Sequence, residues 1–334
     1  VYDQRNIPAF ERQNLDPEEP GIWRYQSVFS LSEKVEGVSL GEGNTPLVWG
    51  ELFGCHVGFK CEFLNPTGSF KDRGTTVLVS FLKNRGAVTA VEDSSGNAGA
   101  SFAAYAARAK MRAEIFVPDD TSGPKRAQMA AYGARVRPVP GSRTNASQAA
   151  LRAAQEGDAY ASHVYMPFGL SGMATVAYEL FEDLGRAPGT VVLPVGHGSL
   201  LLGLQRGFAS LKEAGLVSRI PRMVAVQSKY YAPLWSAFQE KPRPDVGNTR
   251  ASGVRILNPI RKRAILQAVE KTAGTVLAVE EDALHQGWRV LAGLGFHVEY
   301  TSALVWDAIR QISGDTPHPL VAILTGSGLK EPAS

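Results

Sequence analysis

Short apolar runs alternate with longer amphipathic ones along most of this chain. HVGFKCEF (56–63), AVTAVED (87–93), AEIFVP (113–118), ARVRPVP (134–140), TVVLPV (190–195), RMVAVQS (222–228), TVLAVE (275–280) and LVAILT (320–325) read as strands. Between them, 74–83, 98–109, 123–131, 146–156, 172–184, 201–213, 281–294 and 302–312 space their apolar residues at helical period. Strand–helix alternation predicts an α/β fold with mainly parallel sheets. In such sheets ligands bind beyond the carboxyl ends of the strands, on loops that enter helices. No repeat of fixed period and no low-complexity segment interrupts the pattern.

Length and composition narrow the class. A chain of 334 residues exceeds one average domain of ~100–200 residues, which predicts two. Lys and Arg number 35 against 32 Asp and Glu, so no basic face marks a nucleic-acid partner. The only cysteines, Cys55 and Cys61, are too few for a metal site or a disulfide framework and suit a reducing cytoplasm. No apolar run reaches the ~18–20 residues of a membrane span. The first residue is Val1 rather than Met, which leaves room for a segment upstream.

Four strand-end loops carry the candidate chemistry. In Asn65-Pro66-Thr67-Gly68-Ser69-Phe70-Lys71-Asp72-Arg73-Gly74, Pro and Gly end a strand, and Thr67 or Ser69 is placed to cap a helix starting near Phe70. That puts Lys71 in the first helical turn, where the partial positive charge of the helix end favours a neutral, nucleophilic amine. A solvated surface lysine is the plainer alternative. Asp93-Ser94-Ser95-Gly96-Asn97-Ala98-Gly99 opens an Ala-rich helix with amides and hydroxyls that suit a carboxylate, or simply cap the helix. Pro194-Val195-Gly196-His197-Gly198-Ser199-Leu200 brings glycines to a helix start, where backbone N–H groups can hold a phosphate. It is neither a Walker loop nor GxGxxG. Thr325-Gly326-Ser327-Gly328-Leu329-Lys330 ends the last strand with a hydroxyl. A lysine nucleophile, a carboxylate nest, a phosphate cradle and a strand-end hydroxyl together match what a pyridoxal-phosphate site requires.

With these motifs in this order, the chain resembles threonine synthase and its relatives among the fold-type II, tryptophan-synthase-like pyridoxal-phosphate enzymes. The resemblance runs from Gly41-Glu42-Gly43-Asn44-Thr45-Pro46-Leu47 to Gly328-Leu329-Lys330, and NPTGSFKDRG is its most specific part. It implies two three-layer αβα domains with mainly parallel sheets and pyridoxal 5'-phosphate in the cleft between them. The large domain would be 1–71 plus 170–334, and a small domain, 72–169, would close over substrate. Lys71 would hold the cofactor as a Schiff base and move the substrate α-proton, with Phe70 flanking the ring. Asn97 would meet the ring 3-oxygen. Gly196, His197, Gly198, Ser199 and Leu200 would wrap the phosphate, and Thr325 would meet the pyridine nitrogen. Ser94, Ser95 and Gly96 would hold the substrate carboxylate, with Lys125 and Ser171 as further substrate contacts. The implied activity is a lyase converting O-phosphohomoserine to threonine and phosphate, in a cytoplasmic homodimer without a metal.

Some positions depart from that pattern. Relatives commonly have Asn where Met166 stands, Arg or a bulky residue at Gly169, Lys at Ala174, Asn at His197 and Pro at Tyr300. Met and Ala cannot give a phosphate charge-assisted hydrogen bonds. Either Arg73, Lys125 or Ser171 takes over that grip, or the substrate is another β- or γ-substituted amino acid, handled by a related ammonia-lyase, dehydratase or β-replacement synthase.

Overall fold

The computed structural model describes residues 10–19, 21–29, 31, 35–119, 123–165, 167–314 and 316–331. In chain order they form β1 (Leu47–Leu52), β2 (Cys55–Lys60), α1 (Lys71–Asn84), β3 (Thr89–Glu92), α2 (Asn97–Arg108), β4 (Arg112–Pro118), α3 (Pro124–Ala131), β5 (Arg135–Val139), α4 (Arg143–Gln155), β6 (Ala159–Tyr160) and α5 (Gly169–Leu184). There follow β7 (Thr190–Pro194), α6 (Ser199–Glu213), β8 (Arg222–Ser228), α7 (Pro233–Phe238), α8 (Lys262–Lys271), β9 (Thr275–Val279), α9 (Glu281–Gly293), α10 (Tyr300–Ile312) and β10 (Leu320–Ile323). All eight strands and all eight helices read from periodicity are present. No helix among the described residues is long and apolar enough to cross a membrane.

Contacts divide the chain into two units. The first comprises the described residues of Val1–Gly43, Asn65–Met173 and Lys330–Ser334. Its four-stranded sheet has the order β5-β4-β3-β6 and is parallel throughout. Ile115 and Val117 of β4 pack with Leu78 and Val79 of α1, Ala103 and Tyr105 of α2 and Met129 of α3 in one buried cluster. The alanines of α2 are what let that helix approach its neighbours closely.

The second unit comprises Asn44–Leu64 and Ala174–Leu329. Its six-stranded sheet has the order β1-β2-β10-β7-β8-β9, parallel except for β1 against β2. Every residue of β7 and β10 is buried, as expected for parallel strands covered on both faces. Val57, Phe59, Val192, Val224 and Leu320 from the sheet meet Leu304 and Ile309 of α10 in its core.

These units differ from the expected division most in their N-terminal part. The described residues up to Gly43, and 65–71, group with the smaller sheet rather than with the larger one, as do 170–173 and, at the C-terminal end, Lys330 and Glu331. The reason is a set of buried polar contacts. Trp23 Nε1 donates to Thr76 Oγ1 on α1 at 2.9 Å, and Tyr105 OH on α2 donates to Glu42 Oε2 at 2.7 Å. Periodicity also missed β1, β6, α7 and α8. The β1–β2 turn consists of Phe53 (φ 53°) and Gly54 (φ 72°), a two-residue hairpin turn of the kind usually signalled by Asn-Gly.

Candidate active site

Lys71 is the first residue of α1, half-buried, with its Nζ 4.8 Å from the centroid of the Phe70 ring. The expected cap is absent: Phe70 occupies the N-cap position and no side chain caps the helix. The bonding runs in the opposite sense, from the loop to Asp72. Asp72 Oδ2 accepts from Thr67 N at 2.7 Å, and Oδ1 accepts from Thr67 Oγ1 and Ser101 Oγ at 2.6 Å each. One buried carboxylate thus fixes the loop leading into Lys71 and ties it to α2. Ser69 is fully buried, and its hydroxyl finds no hydrogen-bond partner among the described residues.

Burial pushes the Asp72 carboxyl up to about 6, against the hydrogen bonds from Ser101 and Thr67 and the charge of Lys330. Because this folded value lies above the unfolded one, near ~3.9, the folded state binds the proton more tightly. The resulting stabilisation is full below pH ~4 and is lost as pH rises through about 6. It amounts to roughly 3 kcal/mol. Asp72→Asn is therefore expected to flatten stability across that interval, measured by urea unfolding at pH 4 to 7. A wild-type-minus-variant difference that stays constant over the interval would rule the effect out.

The turn after β3 places Ser94, Ser95, Gly96 and Asn97 at the start of α2. Ser94 is buried, and its Oγ accepts from Gly96 N at 3.3 Å. A Cβ on Gly99 would lie 2.0 Å from the Ser94 carbonyl, so the helix packs directly on the turn. Behind it, Glu92 Oε1 is 2.5 Å from His163 Nδ1, and Asp93 accepts from Tyr160 OH at 3.2 Å and from Ser147 Oγ. Burial raises the Glu92 carboxyl; hydrogen bonds from Asp93 and the charges of Arg143 and Lys71 oppose it. Asn97 Oδ1 accepts from Lys330 Nζ at 3.1 Å.

The segment that departs from the pattern is shaped by packing. A Cβ on Gly172 would lie 1.7 Å from the Arg73 carbonyl, and one on Gly169 would lie 3.2 Å from that of Gly74. The start of α5 therefore touches the backbone of the helix that carries Lys71, which excludes a larger residue at Gly172 and leaves a Cβ at Gly169 in tight contact. Ser171 is buried there. Met166 lies outside the described residues. Lys125 does not stand as an isolated cation, since its Nζ is 3.8 Å from Glu331 Oε1.

The second unit holds the other expected groups. Gly198 is the N-cap of α6 with φ 80°, and a Cβ there would fall 2.4 Å from Ile265 Cδ1. A Cβ on Gly196 would lie 3.0 Å from the Gly253 carbonyl. This is a cradle in which side chains have no room, with the first amides of a 15-residue helix, those of Ser199 and Leu200, at its floor. His197, beside it, is half-buried. Such a cradle and a hydroxyl-bearing strand end fit a phosphorylated pyridine cofactor. Thr325, past the end of β10, is buried, and its Oγ1 is 3.0 Å from Ser302 Oγ. Ser302 Oγ also accepts from Thr325 N and Gly326 N at 2.9 and 3.1 Å. Asp72, Ser302 and the Lys330–Asn97 bond are contributions that the reading of single motifs did not assign.

The family model described as "Pyridoxal-phosphate dependent enzyme" matches residues 38–326. The chain is 31% identical over 349 residues to the threonine synthase of Methanocaldococcus jannaschii, covering 99% of this chain and 86% of that protein. It is 32% identical over 323 residues to that of a Synechocystis species, covering 93% and 83%. Among solved structures, a threonine deaminase from T.th. superimposes with a TM-score of 0.73 at 30% identity, covering 87% of this chain and 94% of that one. Maize serine racemase, at 21% identity and a TM-score of 0.74 over 85% and 88%, shares the fold.

Proposed function

The chain belongs to the pyridoxal-phosphate dependent enzymes, and from that premise we propose that it is a threonine-synthase-like lyase that converts O-phosphohomoserine and water to threonine and phosphate. The observation that carries this reading is near-full-length similarity to threonine synthases in a chain that keeps a lysine at the first turn of α1. When bound, the cofactor supplies an electron sink for carbanionic chemistry.

The side chains divide the remaining work. Lys71 would hold the cofactor, and its amine would take and return protons at the substrate carbons. Asn97 would hold the ring 3-oxygen. The amides from Gly196 to Leu200, with the Ser199 hydroxyl, would hold the cofactor phosphate, as a helix N-terminus favours an anion. Thr325 would face the ring nitrogen. A hydroxyl there, unlike a carboxylate, does not enforce a protonated ring, which suits elimination and replacement. Ser94, Ser95 and Gly96 bind the substrate carboxylate.

The scarcity of cations for a substrate phosphate favours a second reading, an ammonia-lyase or β-replacement synthase acting on another β- or γ-substituted amino acid. Ala174 offers no charge where the resemblance implies a lysine, Gly169 lies close against Gly74, and Lys125 is near Glu331. The test is to incubate purified holoenzyme with O-phosphohomoserine, serine, threonine and O-substituted serines, following phosphate, keto acid and amino-acid products. The first reading predicts stoichiometric phosphate and threonine. Phosphate without threonine, or keto acid from serine or threonine alone, would replace it with the second.

A further inference from the structure

Lys330 lies in the short 3-10 turn Gly328–Lys330 and is buried, with 7% exposure. Burying an ammonium is costly unless it is paired and hydrogen-bonded. Its Nζ donates to Asn97 Oδ1 at 3.1 Å, a side chain 233 positions away in sequence. Its charge also acts on the buried Asp72, one residue after Lys71. A primary amide has a carbonyl end that accepts and an NH2 end that donates. With the carbonyl committed to an ammonium, the NH2 end of Asn97 is turned away from Lys330. The opposite orientation would set an N–H against the cation.

We propose that Lys330 is a positioning residue that fixes the Asn97 amide so that its N–H donors face the 3-oxygen of bound pyridoxal phosphate. The proposal rests on the assignment of Asn97 to that oxygen made above. Lys330 acts through Asn97 and does not itself need to touch the cofactor. A hydrogen bond to an ionised oxygen favours the ionised form. Loss of the orientation therefore raises the pH at which that oxygen, and the proton it shares with the Lys71 nitrogen, titrates.

The test uses purified full-length protein loaded with pyridoxal phosphate and reads the pH titration of its visible absorption, together with cofactor affinity. Lys330→Met keeps the side chain's length and removes the donor, whereas Lys330→Gln keeps an N–H donor and removes the charge. Lys330→Met is expected to move the titration to higher pH and weaken cofactor binding by about 10-fold, the scale of one hydrogen bond to a charged group. Lys330→Gln is expected to stay within about threefold of wild type, because donation is retained. In an Asn97→Ala background, Lys330→Met is expected to add nothing, since the two act as one unit.

A wild-type titration in Lys330→Met would overturn the proposal. So would equal damage from Lys330→Gln, because charge rather than donation would then be acting. Failure of both variants to fold would make Lys330 a structural residue and overturn it as well. If Asn97→Ala alone leaves titration and affinity unchanged, the assignment of Asn97 to the 3-oxygen is what fails.

Discussion

Lys71→Ala is expected to abolish the visible absorption of lysine-bound cofactor and to lower turnover by roughly 10³–10⁴-fold, because one amine serves as both covalent attachment and proton carrier. The variant should nevertheless fold. Lys71 is half-buried in the first turn of α1, where the helix dipole disfavours a cation by about 0.3–1 kcal/mol. Removing it is therefore neutral or slightly stabilising, and urea unfolding of the cofactor-free protein checks this. Lys71→Arg is the companion variant. It keeps the charge, yet its guanidinium stays protonated and cannot serve as the nucleophile. Retention of absorption in either variant would place the attachment on another residue.

Gly198→Ala should be the second most damaging change, for a reason written in the backbone. Gly198 has φ 80° and ψ 11°, a left-handed conformation that costs an L-residue about 1–2 kcal/mol. The added methyl would also sit 2.4 Å from Ile265 Cδ1 and 2.5 Å from Cγ1. Ile265 is fully buried in α8, so it cannot swing clear, and such overpacking costs about 1–3 kcal/mol. Relief has to come from moving Gly198 itself, which displaces the amides of Ser199 and Leu200. If about 3 kcal/mol of this falls on the loaded state, cofactor affinity drops by roughly 10²-fold. Equilibrium titration with pyridoxal phosphate measures that loss. Gly198→Ala/Ile265→Ala provides the internal check, since it restores the space but leaves the backbone strain. Partial recovery is expected. Full recovery would show that strain contributes nothing, and no loss in the single variant would exclude Gly198 from the cradle.

Much of this is legible in the order of residues along the chain. The run NPTGSFKDRG puts Lys71 at a helix start because Pro66 and Gly68 end one element and the next apolar-periodic stretch begins at once. The loop from Pro194 to Leu200 reads the same way, strand to glycines to helix. Such signals are local: each depends on residues within about ten positions, and period 2 or 3.6 survives whatever the chain later packs against. The cap expected at Thr67 or Ser69 does not form because a stronger acceptor, Asp72, stands in the helix and takes the Thr67 N–H and hydroxyl. Likewise Gly169, which reads as a missing phosphate ligand, lies where α5 meets the backbone of α1 at Gly74, a closeness that only the folded chain shows.

The sequence alone therefore determined the α/β class, the cofactor and the order of the loops that serve it, because those follow from local periodicity and from a motif with few other uses. Tertiary structure alone decided which groups hold those loops in place. Asp72 with Ser101, Glu42 with Tyr105, Ser302 with Thr325 and Lys330 with Asn97 join residues far apart in the chain. No ten-residue window of sequence contains both members of such a pair. What unites them is the need to pair each buried polar group, and only the folded chain shows which partner meets it. Lys71 is recognisable from its neighbours in sequence, whereas the bond through which Asp72 ties its loop to Ser101 on α2 is recognisable only in space.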